Sequence, residues 1–224
     1  MSDLRQRKAA RTRLAIAGAM QRALQERALD AVPVKALCRE AEISEATFFN
    51  YFPRKQDLLA YLAQLWLLEL GWLARARPGG GLATVEALFA RTAKHCTEHA
   101  GLMRELLAWL ARGGQLAAGE SLSALEKQLA FPELEGIGQV AVRGVDALVD
   151  EQLQAAVHRQ ELPPNTLVPA LLAELLAILF GMPLVLLSSD PQRIAVLYQQ
   201  QLQITWAGVR QLSGAARPAA ATRG

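Results

Sequence analysis

Between Ser44 and Phe52 the chain gathers side chains suited to reading a grooved polar surface: hydroxyls on Ser44, Thr47 and Tyr51, an amide on Asn50, and three phenylalanines. Ser44 is a good helix N-cap with Glu45 in the first turn behind it, and Pro53 disfavours helical geometry at Phe52. The spacing therefore predicts a short helix from Glu45 to Tyr51. On it Phe48 and Phe52 stand one turn apart and point inward, leaving Ala46, Thr47, Phe49, Asn50 and Tyr51 for the outside or the rim. Aromatic rings facing water are costly, so Phe49 and Tyr51 are either core or contact residues. Against a nucleic-acid duplex, Phe49 packs on a thymine methyl or a sugar and Tyr51 gives its hydroxyl to a phosphate. Glu45 either accepts from a cytosine amino group or stabilises the helix start, and the second is the better reading.

Other chemistry-bearing residues are sparse. His95 and His99 lie at i, i+4 with Cys96 beside them, a possible metal-ligand spacing, but no further Cys/His cluster completes a set. Gly79-Gly80-Gly81 has no lysine or serine in phosphate-loop register and follows no strand, so it reads as a linker. No Ser/His/Asp or paired-glutamate arrangement suggests catalysis. No metal or cofactor is implied.

The elements that must hold the Glu45–Tyr51 helix are legible. Hydrophobic residues make up 52% of the chain and aromatics 6%, with Leu, Ala, Glu, Gln and Arg dominating, which favours helix over strand nearly everywhere. A first helix runs from about Leu4 to Ala28, with Ala17, Met20 and Leu24 on its apolar stripe. A brief second helix follows Pro33, with Val34, Leu37, Cys38 and Ala41 on one face. A fourth starts near Lys55 and ends before the linker at residues 77–81. Beyond it the pattern predicts helices over Leu82–His99, Leu102–Arg112, Glu120–Leu129, Ile137–Gln160, Asn165–Leu187 and Gln192–Leu212. The breaks fall at Gly101, Gly113-Gly114, Pro132, Pro163-Pro164 and Pro191. The fold class is all-α. The divisions are a three-helix helix-turn-helix domain over residues 1–54, a larger helical domain over 55–213, and a disordered tail over 214–224.

Charge supports the same division of labour. Residues 1–55 carry eleven Lys/Arg against six Asp/Glu, while the rest carries thirteen against fifteen. A basic N-terminal module on a slightly acidic body suits a polyanionic partner, although a solvated basic face would look the same. The two cysteines form no disulfide framework, which points to a reduced, cytoplasmic setting. Leu167 to Leu187 is long enough to span a bilayer and holds a single charge, Glu174. Gly181 and Pro183 interrupt it and no basic cluster flanks it, so a helix buried in a bundle or at a subunit interface is the better reading, with no membrane partner.

Residues 34–59, VKALCREAEISEATFFNYFPRKQDLL, resemble the signature region of TetR (tetracycline-repressor-like) regulators, most tellingly at Ile43-Ser44, Thr47, Tyr51-Phe52, Lys55 and Leu58. The resemblance covers about a quarter of the chain. It implies DNA contacts from Ser44, Glu45, Ala46, Thr47, Phe49, Asn50 and Tyr51. It also implies a phosphate contact from Lys55 at the start of the fourth helix, where free backbone N–H groups already favour an anion. Two departures stand out. The turn position usually held by glycine is Glu42, which must avoid a left-handed conformation or tolerate strain. The start of the second helix, often a threonine pair on phosphate, is Val32-Pro33, so Lys35 is expected to reach the same strand instead.

The resemblance also implies a ligand-responsive repressor, dimeric on a palindromic operator, cytoplasmic and associated with the nucleoid when bound to DNA. A single such module reads too few base pairs for useful specificity, so the chain must offer a self-complementary apolar surface. Leu172, Leu175, Leu179 and Leu186 on the penultimate helix, with Leu197, Leu202 and Val209 on the last, are the expected interface. The middle helices are expected to enclose a small apolar effector among Trp66, Phe89, Met103, Trp109, Phe131 and Met182. The alternatives are an activator or a regulator without ligand, and a helical ligand-binding or partner-binding protein whose DNA reader is degenerate.

Overall fold

A computed structural model of the chain describes residues 3–77, 79–115 and 122–215. The described elements are all helical: α1 (Asp3–Glu26), a 3-10 turn at Leu29–Ala31, α2 (Val34–Glu40), α3 (Glu45–Tyr51), α4 (Lys55–Ala76), α5 (Leu82–Glu98), α6 (Ala100–Ala111), α7 (Ala124–Ala130), a second 3-10 turn at Ile137–Gln139, α8 (Val145–His158), α9 (Val168–Leu186) and α10 (Arg193–Ala215). By packing they form two compact units. One joins Met1–Trp72 with His95–Val145, the other Leu73–Lys94 with Asp146–Gly224.

In the first unit α1 packs against α2, α6 and α7, and α2 against α3. Ile16, Met20 and Leu24 of α1, Leu37 and Cys38 of α2, and Phe48 of α3 are all buried there. α4 is buried on every side from Leu58 to Gln64 and again from Trp66 to Gly71, the signature of a core helix rather than an amphipathic surface one. Gly101 is no helix break. It lies inside α6 because a Cβ there would fall 1.7 Å from the Leu24 carbonyl oxygen, so only glycine lets α6 close on α1.

Several expected helices are shorter than the periodicity suggests, and two of them show why. The stretch expected as Ile137–Gln160 is a 3-10 turn, an irregular strand of chain, and then α8. The Val140 carbonyl, which a continuous helix would use internally, instead accepts from Lys127 Nζ at 2.6 Å. α7 starts at Ala124, not Glu120, because Ser123 and Glu126 form a capping box; Glu120 lies outside the described residues.

The second unit holds α8, α9, α10 and most of α5. The Tyr198 hydroxyl donates to the Leu179 carbonyl, tying α10 to α9, and the ring packs edge-on to Phe89 of α5 at 5.0 Å. Trp206 Nε1 donates to Glu86 at 3.1 Å and the Thr205 hydroxyl to Glu174 at 2.8 Å. The glycine linker is docked: Gly81 N–H donates to Gln152 and Leu82 N–H to Glu161. Pro78 of that linker lies outside the described residues, as do residues 216–224 of the expected tail, while α10 continues past Leu212 to Ala215.

Candidate nucleic-acid interface

The reader helix α3 is set by its ends. Ser44, extended in backbone, accepts from Thr47 N–H at 3.1 Å and shares a hydrogen bond with the Thr47 hydroxyl at 2.9 Å. At the other end Phe52 is extended ahead of Pro53. Phe48 and Phe52 are 0% and 1% exposed, and this apolar base fixes which side of α3 faces out. On that outer side Glu45, Ala46, Phe49 and Asn50 are exposed, while Thr47 and Tyr51 are half-buried. Phe49 is 47% exposed, its ring edge-on to Phe48 at 5.2 Å, so it is not core. Lys35 is exposed on the first turn of α2. Asn50 and Tyr51 border a depression that also takes in Gln6 and Ala10 of α1. The exposed Arg5, Arg7, Lys8 and Arg11 of α1 add positive charge to the same unit; only their composition, not a motif, marks them in the sequence.

Lys55 is placed differently from the expectation. Its Nζ donates to the carbonyls of Leu29, Asp30 and Val32 at 2.7, 2.9 and 3.2 Å. An ammonium has three protons, and here all three are spent on the turn that precedes α2. It braces that turn and is not held out toward a phosphate. Glu42 adopts the left-handed conformation, φ 55°. With Ile43 N–H bonded to the Cys38 carbonyl and Glu42 N–H to that of Arg39, α2 ends in a Schellman motif whose left-handed position is filled by glutamate.

Behind the reader lies a partly charged, mostly buried cluster that sequence reading missed. The Arg13 guanidinium sits over the rings of Tyr61 and Phe52, with its carbon 4.6 and 5.6 Å from their centroids, and forms an ion pair with Glu126 at 3.0 Å. Glu126 also accepts from the Tyr61 hydroxyl at 3.3 Å. Burial first, then the Glu126 charge, pushes the Tyr61 phenol well above its usual range, so it stays a donor. The end of α3 is thereby tied through Phe52 to α1, α4 and α7. Only the capping-box spacing of Ser123 and Glu126 hinted at this in the sequence.

The expected effector residues are dispersed. Trp66 and Phe131 line one cavity of about 320 Å³ in the first unit. Trp109 lines a separate depression with Arg104 and Glu105, and Met103 is buried without reaching either. Phe89 and Met182 belong to the second unit. His95 and His99 also border the first cavity; His95 Nε2 is hydrogen-bonded to Glu69, and the two imidazoles lie 5.6 Å apart. Burial, and then the neighbouring His95, holds the His99 imidazole below its ordinary value, while burial pushes the Cys96 thiol up to about 12.

Three of the expected interface residues face inward. Leu175, Leu179 and Leu202 are buried within this chain, whereas Leu172, Leu186, Leu197 and Val209 are half-buried. Apart from Glu174, α9 is apolar all round, so an apolar stripe could not tell its inner side from its outer. The residues left outward are Leu184 and Val185 on α9 and Val196 and Ile204 on α10, from 56% to 74% exposed.

Residues 16–62 match the family of bacterial regulatory proteins described as the tetR family. Among solved structures, GusR of Salmonella enterica superposes with a TM-score of 0.62 at 17% identity, covering 89% of this chain and 95% of that one. The ketosteroid transcriptional regulator KstR2 of Mycobacterium tuberculosis superposes with a TM-score of 0.55 at 15% identity, over 88% of this chain and 94% of that one. At these identities the superpositions speak to a common fold. No curated protein matches the chain in sequence.

Proposed function

We propose that this chain, a member of the TetR family of bacterial regulators by its N-terminal domain and helical fold, occupies a palindromic operator as a dimer and is released from it by a small molecule. The observation that carries this reading is the outer side of α3. Glu45, Ala46, Phe49 and Asn50 stand exposed on a helix whose opposite side is anchored by two fully buried phenylalanines. A rigidly seated helix of two turns with polar and aromatic side chains outward is what a major groove admits. In the proposed complex Ala46, Thr47, Phe49 and Asn50 reach base edges, while Ser44, Glu45, Tyr51 and Lys35 serve the helix end and the phosphates. Lys55 acts from behind as a brace.

The dimer reading is supported by α9. Its most apolar 18-residue stretch has a mean hydropathy of 2.1, yet only 28% of it is buried inside this chain. α4 is also long and apolar enough to cross a membrane, but 72% of its stretch is buried in the fold. A second copy packed on the outward residues of α9 and α10 would remove that exposed apolar surface from water. A ligand that favours the DNA-incompetent arrangement needs roughly 5.5 kcal/mol of differential affinity to move a population from 99:1 to 1:99.

The test is binding to genomic fragments of the source organism across a salt series. A regulator selects particular fragments, with an affinity that falls steeply as salt rises. Uniform weak binding to every fragment would instead favour a helical ligand-binding protein with a degenerate reader.

A further inference from the structure

α9 carries a proline inside it. Pro183 has no N–H, so the bond that a helical residue 183 would give to the carbonyl four residues back, that of Leu179, cannot form, and the ring crowds that carbonyl. Leu179 is 1% exposed, so its carbonyl needs a partner from within the protein. The partner comes from another helix, where the Tyr198 hydroxyl of α10 donates to it. Tyr198 is itself 1% exposed and its ring stands edge-on to Phe89 of α5, so packing aims the hydroxyl.

Two residues before the proline, Gly181 weakens the same stretch of helix. Nothing lies within 4 Å of where its Cβ would stand, so close packing does not demand a glycine there. The turn after Pro183 is nonetheless helical, with Leu187 N–H bonded to the Pro183 carbonyl. That turn presents Leu184 and Val185, the two large apolar residues of α9 that stand most exposed. α9 is thus interrupted just ahead of its outward apolar pair, and a side chain from α10 repairs the interruption. We propose that Tyr198 is a positioning residue for self-association. Its hydroxyl stands in for the N–H that Pro183 lacks and fixes the direction in which the last turn of α9 presents Leu184 and Val185 to a second copy of this chain. The inference rests on the dimer reading above and adds the residue that sets the geometry of that surface. A hydroxyl that merely stabilised the chain would matter equally whatever stood at residue 183. A substitute for a missing N–H matters only while that N–H is missing, so the two positions must be coupled.

The experiment uses the full chain as wild type, Tyr198→Phe, Pro183→Ala and the double variant. The monomer–dimer dissociation constant of each is read by sedimentation over a concentration series. Tyr198→Phe keeps the ring against Phe89 and removes one oxygen, while Pro183→Ala restores the helical donor. The expected result is that Tyr198→Phe weakens self-association about tenfold beside Pro183, and by less than about twofold in the Pro183→Ala background. An equal loss in both backgrounds, or none in either, overturns the proposal. Amide exchange, compared at a concentration where wild type and Tyr198→Phe are both dimeric, is the second measurement. Residues 184–187 should exchange about tenfold faster in Tyr198→Phe, while residues 171–176 keep their protection. Should Pro183→Ala not fold, this pattern decides the matter, and unchanged protection of the last turn or a uniform loss along α9 overturns the proposal. A wild type that stays monomeric at every concentration sinks the dimer reading itself. Dimerisation of wild type with no dependence on residue 183 sinks only the role of Tyr198.

Discussion

Lys55 Nζ donates to the Leu29 carbonyl at 2.7 Å, and with its two companion bonds it fastens the start of α4 to the turn that launches α2. The charge is therefore structural in this arrangement, which changes what its removal should do. Lys55→Ala is expected to destabilise the fold by about 2 kcal/mol, because three backbone carbonyls lose a charged donor. It should lower affinity for all DNA alike while leaving the salt dependence unchanged. Lys35→Ala, by contrast, should flatten the slope of log affinity against log salt by about one. Equal flattening by both would restore Lys55 to the phosphate backbone.

Glu42 occupies a left-handed position that costs a side-chain-bearing residue about 1 kcal/mol relative to glycine. Glu42→Gly should therefore stabilise the chain by about that amount, seen as a higher urea midpoint at constant m-value. A lower midpoint would mean that the glutamate side chain contributes more than the strain removes.

Gly101→Ala should do the opposite. The new methyl would fall on the Leu24 carbonyl, which belongs to α1 and cannot swing away, so α6 must back off. The expected loss is about 2–3 kcal/mol, the range for overpacking a tight contact, and it would be read as a drop in thermal midpoint. An unchanged midpoint would show that the two helices do not meet as described.

His99 sets an acid sensitivity. Its folded value is depressed, chiefly by burial and next by His95, against the opposing pull of Glu98 and Glu69. A base whose folded value lies below its unfolded one leaves the unfolded chain to bind the proton first. Stability is then full above the unfolded value near about 6.5 and declines as pH falls through the folded one. Thermal midpoints should drop between about pH 7 and pH 5, and the drop should shrink in His99→Gln. A variant with the same pH profile as wild type would assign the effect elsewhere.

Val185 and Ile204 lie on the outward sides of α9 and α10, 74% and 64% exposed. Val185→Glu with Ile204→Glu should leave the fold intact and shift the chain from dimer to monomer by light scattering, with operator affinity falling by more than tenfold. Should Leu175→Ala dissociate the chain without unfolding it, the inward placement of that residue would be at fault.

The local sequence dictated what depends on neighbours along the chain. Ser44 as cap, Pro53 as stop and the Phe48/Phe52 pair define α3 and its outer side within ten residues, because capping, proline geometry and the helical repeat are short-range effects. The left-handed turn at Glu42 was open from the same stretch. Folding in three dimensions decided whatever depends on a partner distant in the chain. Lys55 could be read as facing phosphate until the carbonyls of residues 29–32 were brought to it. Apart from Glu174, α9 is apolar all round, so Leu175 and Leu184 look alike in sequence, and only packing within the second unit makes one core and the other surface. Periodicity tells that a residue is apolar or polar, whereas burial and hydrogen-bond pairing are properties of the whole assembly of helices.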